Sequence, residues 1–130
     1  MAIHSFANLG AWADKTEDRM RRVVQQSIQE VIEIAQIPVP QGGAMPVDTE
    51  FLRDSLASDL NGAQVAKGPD SHIFAIAGFD LGDVARFGWT ADYARPRHYM
   101  VGVGQGGGMW RDIAATQWQA IVERNARAVR

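Results

Sequence analysis

Apolar and small residues recur at three-to-four spacing through the first part of the chain: Leu9, Trp12, Ala13, Thr16, Met20, Val23, Val24, Ser27, Ile28, Val31, Ile34 and Ala35. Glu17, Arg21, Gln25, Gln29 and Glu33 fall on the opposite side. That spacing predicts one long amphipathic helix over residues 5–36. A helix of about 30 residues is about 45 Å long, which is more than a domain of this size needs. Two readings of the excess stay open. The helix lies across a sheet, or part of its stripe packs on another subunit. The next ten residues, "IPVPQGGAMP" (37–46), hold three prolines and two glycines. They permit neither a helix nor a sheet ladder, so 37–47 is expected to be a flexible loop. In "VDTEFLRDSL" (47–56), Asp48 or Thr49 can cap one or two helical turns, with Phe51, Leu52 and Leu56 on the apolar side.

From residue 56 the period shortens. Asn61-Gly62 is a hairpin dipeptide between runs at 56–60 and 63–67, and Gly68-Pro69-Asp70 is a second turn. "SHIFAIAGF" (71–79) is expected as an inner strand, with Ile73, Ala75 and Ala77 on one face and Phe74 and Ile76 on the other. "DVARFGW" (83–89) reads as a strand or a short turn, and "RHYMVGV" (97–103) as a further strand. The helical period returns over 109–129 with Trp110, Ile113, Ala114, Trp118, Ile121, Val122 and Val129. The expected architecture is α+β: a long N-terminal helix, a short helix, a small mainly antiparallel sheet of about four strands in 56–103, a glycine-rich loop at 104–108, and a C-terminal helix packed on the sheet.

The chain has 130 residues, enough for a single domain over 1–130. Apolar content is 46%, charged content 22% and net charge −2, so no global field calls for nucleic acid or an anionic membrane. The local basic cluster Arg124, Arg127 and Arg130 complements a helix C-terminus. Cysteine is absent, which removes disulfides, thiol catalysis and zinc-thiolate sites together. The N-terminal residues do not read as a secretory signal, and no apolar run approaches the ~20 residues that cross a bilayer. A cytoplasmic chain is expected.

Gly102, Gly104 and Gly107 spell G-x-G-x-x-G after an apolar run and before a helix. A dinucleotide site needs that turn inside a β-α-β unit, with an acidic residue about 20 positions on. Only 22 residues follow Gly108, and they read as helix. The motif is therefore accidental, and the glycines are expected to serve as a flexible tongue or hinge. His4, His72 and His98 are widely separated and are expected on the surface or on a strand face, with no metal. Asp70, Asp80, Asp83 and Asp92 fall in turns, where aspartate serves the backbone. With Arg86, Arg95 and Arg97 they keep a small metal-dependent nuclease in view as an alternative. Ser55, Ser58 and Ser71 lie in no nucleophile elbow, and no catalytic residue, cofactor or metal is assigned. Trp12, Trp110 and Trp118 read as core. Trp89 and Tyr93 stand among polar loop residues with arginine nearby, as interface anchors do, although Trp89 taken alone reads first as core and second as interface.

The segment "PVDTEFLRDSL" (46–56) resembles the signature of the small neck proteins of long-tailed bacteriophages, the head–tail joining or tail-completion family. That family shows Pro-Val-Asp-Thr-Gly-x-Leu-Arg-x-Ser after a long helix and a flexible loop. Pro46, Val47, Asp48, Thr49, Leu52, Arg53 and Ser55 match, while Glu50 replaces the usual glycine. "GWTADYA" (88–94) looks like the family's stretch before a Tyr-Ala strand, but Arg95-Pro96-Arg97 stands where Glu-Gly-Thr often follows. "GGMWRDIAATQWQAIV" (107–122) is similar to its closing segment. The resemblance implies a structural virion protein without catalysis, made in the bacterial host cytoplasm and located in the neck. It implies a homo-oligomeric ring around the DNA channel, joined to the head connector and to the tail tube or tail terminator. Contact with DNA would be transient and sequence-blind, and no membrane is involved. Asp48 and Thr49 would fix the turn, and Leu52 and Arg53 would meet a neighbour, unless Leu52 is core and Arg53 an intramolecular partner. A host-partner-binding regulatory protein is the remaining alternative.

Overall fold

A computed structural model of the chain describes residues 6–47, 51–104 and 106–129, with side chains from residue 12 onward. The first element, α1, spans Phe6–Ala35. Its buried stripe runs through Val23, Ser27, Ile28, Ile32 and Ala35, the helical spacing that lays one face on a core. Ile32 belongs to this stripe although the sequence pattern passed over it. Then follow a single 3-10 turn at Val39–Gln41 and the short helix α2, Phe51–Asp54. Strands β1 (Leu56–Leu60) and β2 (Ala63–Lys67) form the hairpin expected at Asn61-Gly62. Both turn residues have positive φ, +53° and +83°, as a tight hairpin matched to strand twist requires. Helix α3 (Ser71–Ala77), strand β3 (Ala85–Trp89) and helices α4 (Ala94–Tyr99), α5 (Trp110–Ala115) and α6 (Trp118–Ala128) complete the order.

Among the described residues the sheet has three strands in the order β2-β1-β3, not about four, and both pairings are antiparallel. Leu56 faces Trp89 and Leu60 faces Ala85, which fixes β3 in the central strand's register. Leu56 and Ser58 are fully buried on the inward face of β1.

Two expected strands are helices. The segment 71–79 forms α3, whose buried residues are Ser71, His72, Ala75 and Ile76. Those positions make a helical stripe, but half of it is polar, so apolar periodicity alone missed it. The segment 97–103 splits into the end of α4 and an irregular loop. Here the buried positions are Ala94, Arg97 and His98, again a helical stripe carried mostly by polar side chains. Pro96 lies in the first turn of α4, where a backbone N–H is not needed. The single helix expected over 109–129 is two. A turn at Thr116–Gln117 divides it, with the Thr116 hydroxyl donating to Ile113 O at 2.6 Å.

Packing of the last helices also differs from expectation. Both α5 and α6 run along α1, and α3 is the helix that covers the sheet. The α1–α6 seam contains a buried hydrogen bond from Asn125 Nδ2 to Ser27 Oγ at 3.1 Å. Arg19 donates to Ala126 O and Val129 O at 2.9 and 2.8 Å, so a residue of α1 caps the carbonyl end of α6. Arg124, expected to complement that end, pairs across the seam with Glu30.

Two apolar clusters fill the interior. One gathers Ala35, Met45, Leu52, Ala94, Trp110 and Ala114, and the other Ile28, Ile32, Leu56 and Ile76. Val31 and Trp89 pack against both and join them. Gln36, 4% exposed, donates to Pro69 O at 2.8 Å and accepts from Trp89 Nε1 at 3.4 Å across that junction.

The two glycine loops, expected to be flexible, interlock. Val39 N donates to Met45 O and Met45 N to Ile37 O, both at 3.1 Å, which closes the first loop and drops Met45 into the core. Gly108 N then donates to Ala44 O at 2.9 Å. Gly107 comes so near that a Cβ there would lie 2.6 Å from Ala44 O, at a φ of +85°. The buried Arg97 guanidinium fills the second loop, donating to Met100 O, Val103 O and Gly106 O at 2.7, 2.8 and 2.6 Å. Replacing Arg97 with Met keeps the aliphatic bulk and removes those donors. The expected result is a loss on the order of 3 kcal/mol, with amide exchange rising first across 100–108. Unchanged exchange there would mean that the loop holds its shape without Arg97.

Candidate functional site

The residues singled out from the sequence do not converge. Asp48 and Thr49 lie outside the described residues. Leu52 is 1% exposed and belongs to the core, while Arg53 beside it is exposed. Trp89 is half-buried at the junction of the two clusters, and Tyr93, just before α4, is 37% exposed. Of the tryptophans expected in the core, Trp110 is buried, whereas Trp12 and Trp118 are 68% and 39% exposed.

The glycine motif has no phosphate-binding context. It follows a helix, α4, and the sheet is antiparallel, so no β-α-β unit surrounds it. Two of the four aspartates, Asp80 and Asp83, accept from backbone amides, whereas Asp70 at the start of α3 makes no capping bond through its side chain. Asp80 accepts from Arg21 Nε at 2.8 Å and from Leu81 N at 2.7 Å. The Arg21 hydrogen bond is the main cause that holds its carboxyl below the ordinary range, with the Leu81 amide second. Asp83 accepts from Asp80 N and from Asn61 Nδ2, tying the 80–84 turn to the hairpin. Among the described residues no three metal-ligating groups come together. No helix there is long and apolar enough to cross a membrane.

What the fold does assemble is a cleft of about 360 Å³ between β3, α4 and α5. Phe87, Gly88 and Trp89 come from β3, Ala94, Arg95, His98 and Tyr99 from α4, and Trp110 and Arg111 from α5. Its inner rings meet edge to face: Trp89 with Trp110 at 6.0 Å and 88°, and His98 with Trp110 at 4.7 Å and 76°. Tyr99 meets His98 the same way at 4.9 Å. Arg111 donates to Asp112 at 2.9 Å and reaches the Tyr99 hydroxyl at 3.4 Å. The sequence marked Trp89 alone as a candidate here. The rest was legible only as the spacing Ala94, Arg97, His98, which a helix converts into one buried face.

His72 and His98 are buried at 2% and 4% exposure on helices, which corrects the surface or strand-face placement. Neither ring has a hydrogen-bond partner among the described residues. Burial lowers the His98 pKa, and the Arg111 charge lowers it further against a weaker pull from Asp112. Burial likewise lowers His72, opposed by the charges of Glu33 and Asp70. Compared with family models, with curated proteins and with solved structures, the chain finds no match in any of the three.

Two tests follow from these placements. Leu52→Ala should cost about 2–5 kcal/mol in denaturant unfolding, whereas Arg53→Ala should stay within about 0.5 kcal/mol. Equal effects would contradict the core position of Leu52. For the histidines, the folded state prefers the neutral ring, so the unfolded chain binds more protons. Their contribution is complete above the ordinary imidazole value of 6.5 and is lost as pH falls through it toward the lowered folded values. The unfolding midpoint should therefore drop between about pH 7 and pH 5, and His72→Leu with His98→Phe should flatten that drop.

Proposed function

We propose that this chain is a structural protein of the bacteriophage neck, which completes the tail or joins the tail tube to the head connector as part of an oligomeric ring around the DNA channel. The observation that carries the reading is the uncovered part of α1. No side chain described between Trp12 and Arg22 is buried, and among the described residues the first buried one is Val23. Trp12 at 68% and Met20 at 53% stand exposed on a helix whose later turns are fully engaged. A helix that outruns its own core offers the apolar stripe to a neighbour. Ring closure needs two different patches that meet head to tail. The edges of the sheet at β2 and β3, with Val65 exposed on β2, offer the second. The order of long helix, loop, short helix and closing helices also agrees with the motif order behind the resemblance, and the absent glycine at Glu50 remains its clearest departure.

A regulatory protein that binds one host partner could use the same exposed helix, so the test must locate the chain. Quantitative mass spectrometry on purified virus particles from the source strain should count a small fixed number of copies per particle, far below capsid and tube subunits. Trp12→Lys should keep the fold within about 0.5 kcal/mol and lower that number. Absence from particles, with the chain abundant in cells, would remove the neck reading in favour of the host-partner one.

A further inference from the structure

The cleft between β3, α4 and α5 is independent of the exposed part of α1, and nothing in the neck reading requires it. Its floor is aromatic and its mouth is cationic. Trp89, His98 and Trp110 form the floor, and Arg95, Arg111 and Tyr99 stand at the mouth. We propose that this cleft docks an acidic segment of a partner protein, in which one large apolar side chain is flanked by carboxylates. The apolar side chain lies in the open cleft against the ring floor, and the carboxylates meet the two guanidinium groups.

Size and charge support this occupant. A volume of about 360 Å³ stands at the small end of ligand sites, suited to one anchor side chain. Arg95 is exposed, and Asp112 is the acid that Arg111 holds, through Nε. Arg111 is itself 57% exposed, which leaves its outer edge open to a second carboxylate in paired geometry. Trp110 Nε1 and both ring nitrogens of His98 are buried without a partner among the described residues. The wall over His98 is Tyr99, 58% exposed and tied by the 3.4 Å contact to Arg111, so it can swing without disturbing the core.

Nucleic acid suits the cleft less well. The rings of Trp89 and Trp110 cross at 88°, spending an edge on a face that a base would need for stacking. Two arginines on a chain of net charge −2 do not make a backbone-tracking stripe.

The probe is a capped peptide, acetyl-Asp-Glu-Phe-Glu-Asp-amide, titrated into the full chain labelled with nitrogen-15. The expected result is saturable movement of the Trp89 and Trp110 indole signals, assigned by single Trp→Phe variants, with Trp12 and Trp118 unmoved. Binding should weaken about tenfold for Arg95→Glu, an exposed change whose fold the same spectra verify. It should also weaken with added salt. No indole movement at millimolar peptide, or equal binding of the lysine-flanked version, overturns the proposal. So does movement by a thymidine oligonucleotide in place of the acidic peptide. These outcomes stand apart from particle counts, because the peptide reads the cleft whether or not the chain enters a virion.

Discussion

The interior is built against the part of α1 between Val23 and Ala35. Val23, Ser27, Ile28, Ile32 and Ala35 offer one buried stripe, and it contributes members to both apolar clusters. The remaining helices are short, and helices of six or seven residues are marginal alone, so they form because they complete this stripe. The covering is shared: α3 lies between α1 and the sheet, and α5 and α6 line another side. Trp89 and Val31 then join the two clusters. Removing the stripe would take Ile28 and Ile32 away from Leu56 of β1 and Ile76 of α3, and a small sheet needs such a covered face to persist.

A second constraint is the amount of polar chemistry inside. Ser27 meets Asn125, Ser58 meets Ser71 at 2.8 Å, and Gln36 spans from Pro69 to Trp89. Each pairing has direction and length, unlike apolar contact, and so specifies which helix meets which. Arg97 carries this furthest, since one guanidinium organises a glycine-rich loop whose own large side chains point outward. The same loop leaves Tyr99, Met100, Val101 and Val103 exposed on a held backbone. Together with Trp12, Phe51 and Phe74 they give a surface unusually rich in large apolar side chains. Trp12 among them lies on the uncovered part of α1, and Tyr99 stands at the mouth of the cleft.

By itself the sequence determined the long helix, the hairpin with its Asn61-Gly62 turn, the proline–glycine interruption after the helix and the α+β class. Each rests on a local cause: an apolar period, a φ preference or a missing N–H. Tertiary structure alone decided that 71–77 and 94–99 are helices, and that the tail bends at Thr116–Gln117 onto α1. In these stretches Ser71, His72, Arg97 and His98 occupy buried positions that pattern reading reserves for apolar residues. Whether a polar side chain can be buried depends on partners distant in the chain or on the rings stacked around it, and no local window contains them. The cleft is the same case, since Trp89, His98 and Trp110 become neighbours only when three elements pack, and spacing along the chain carries no trace of that meeting.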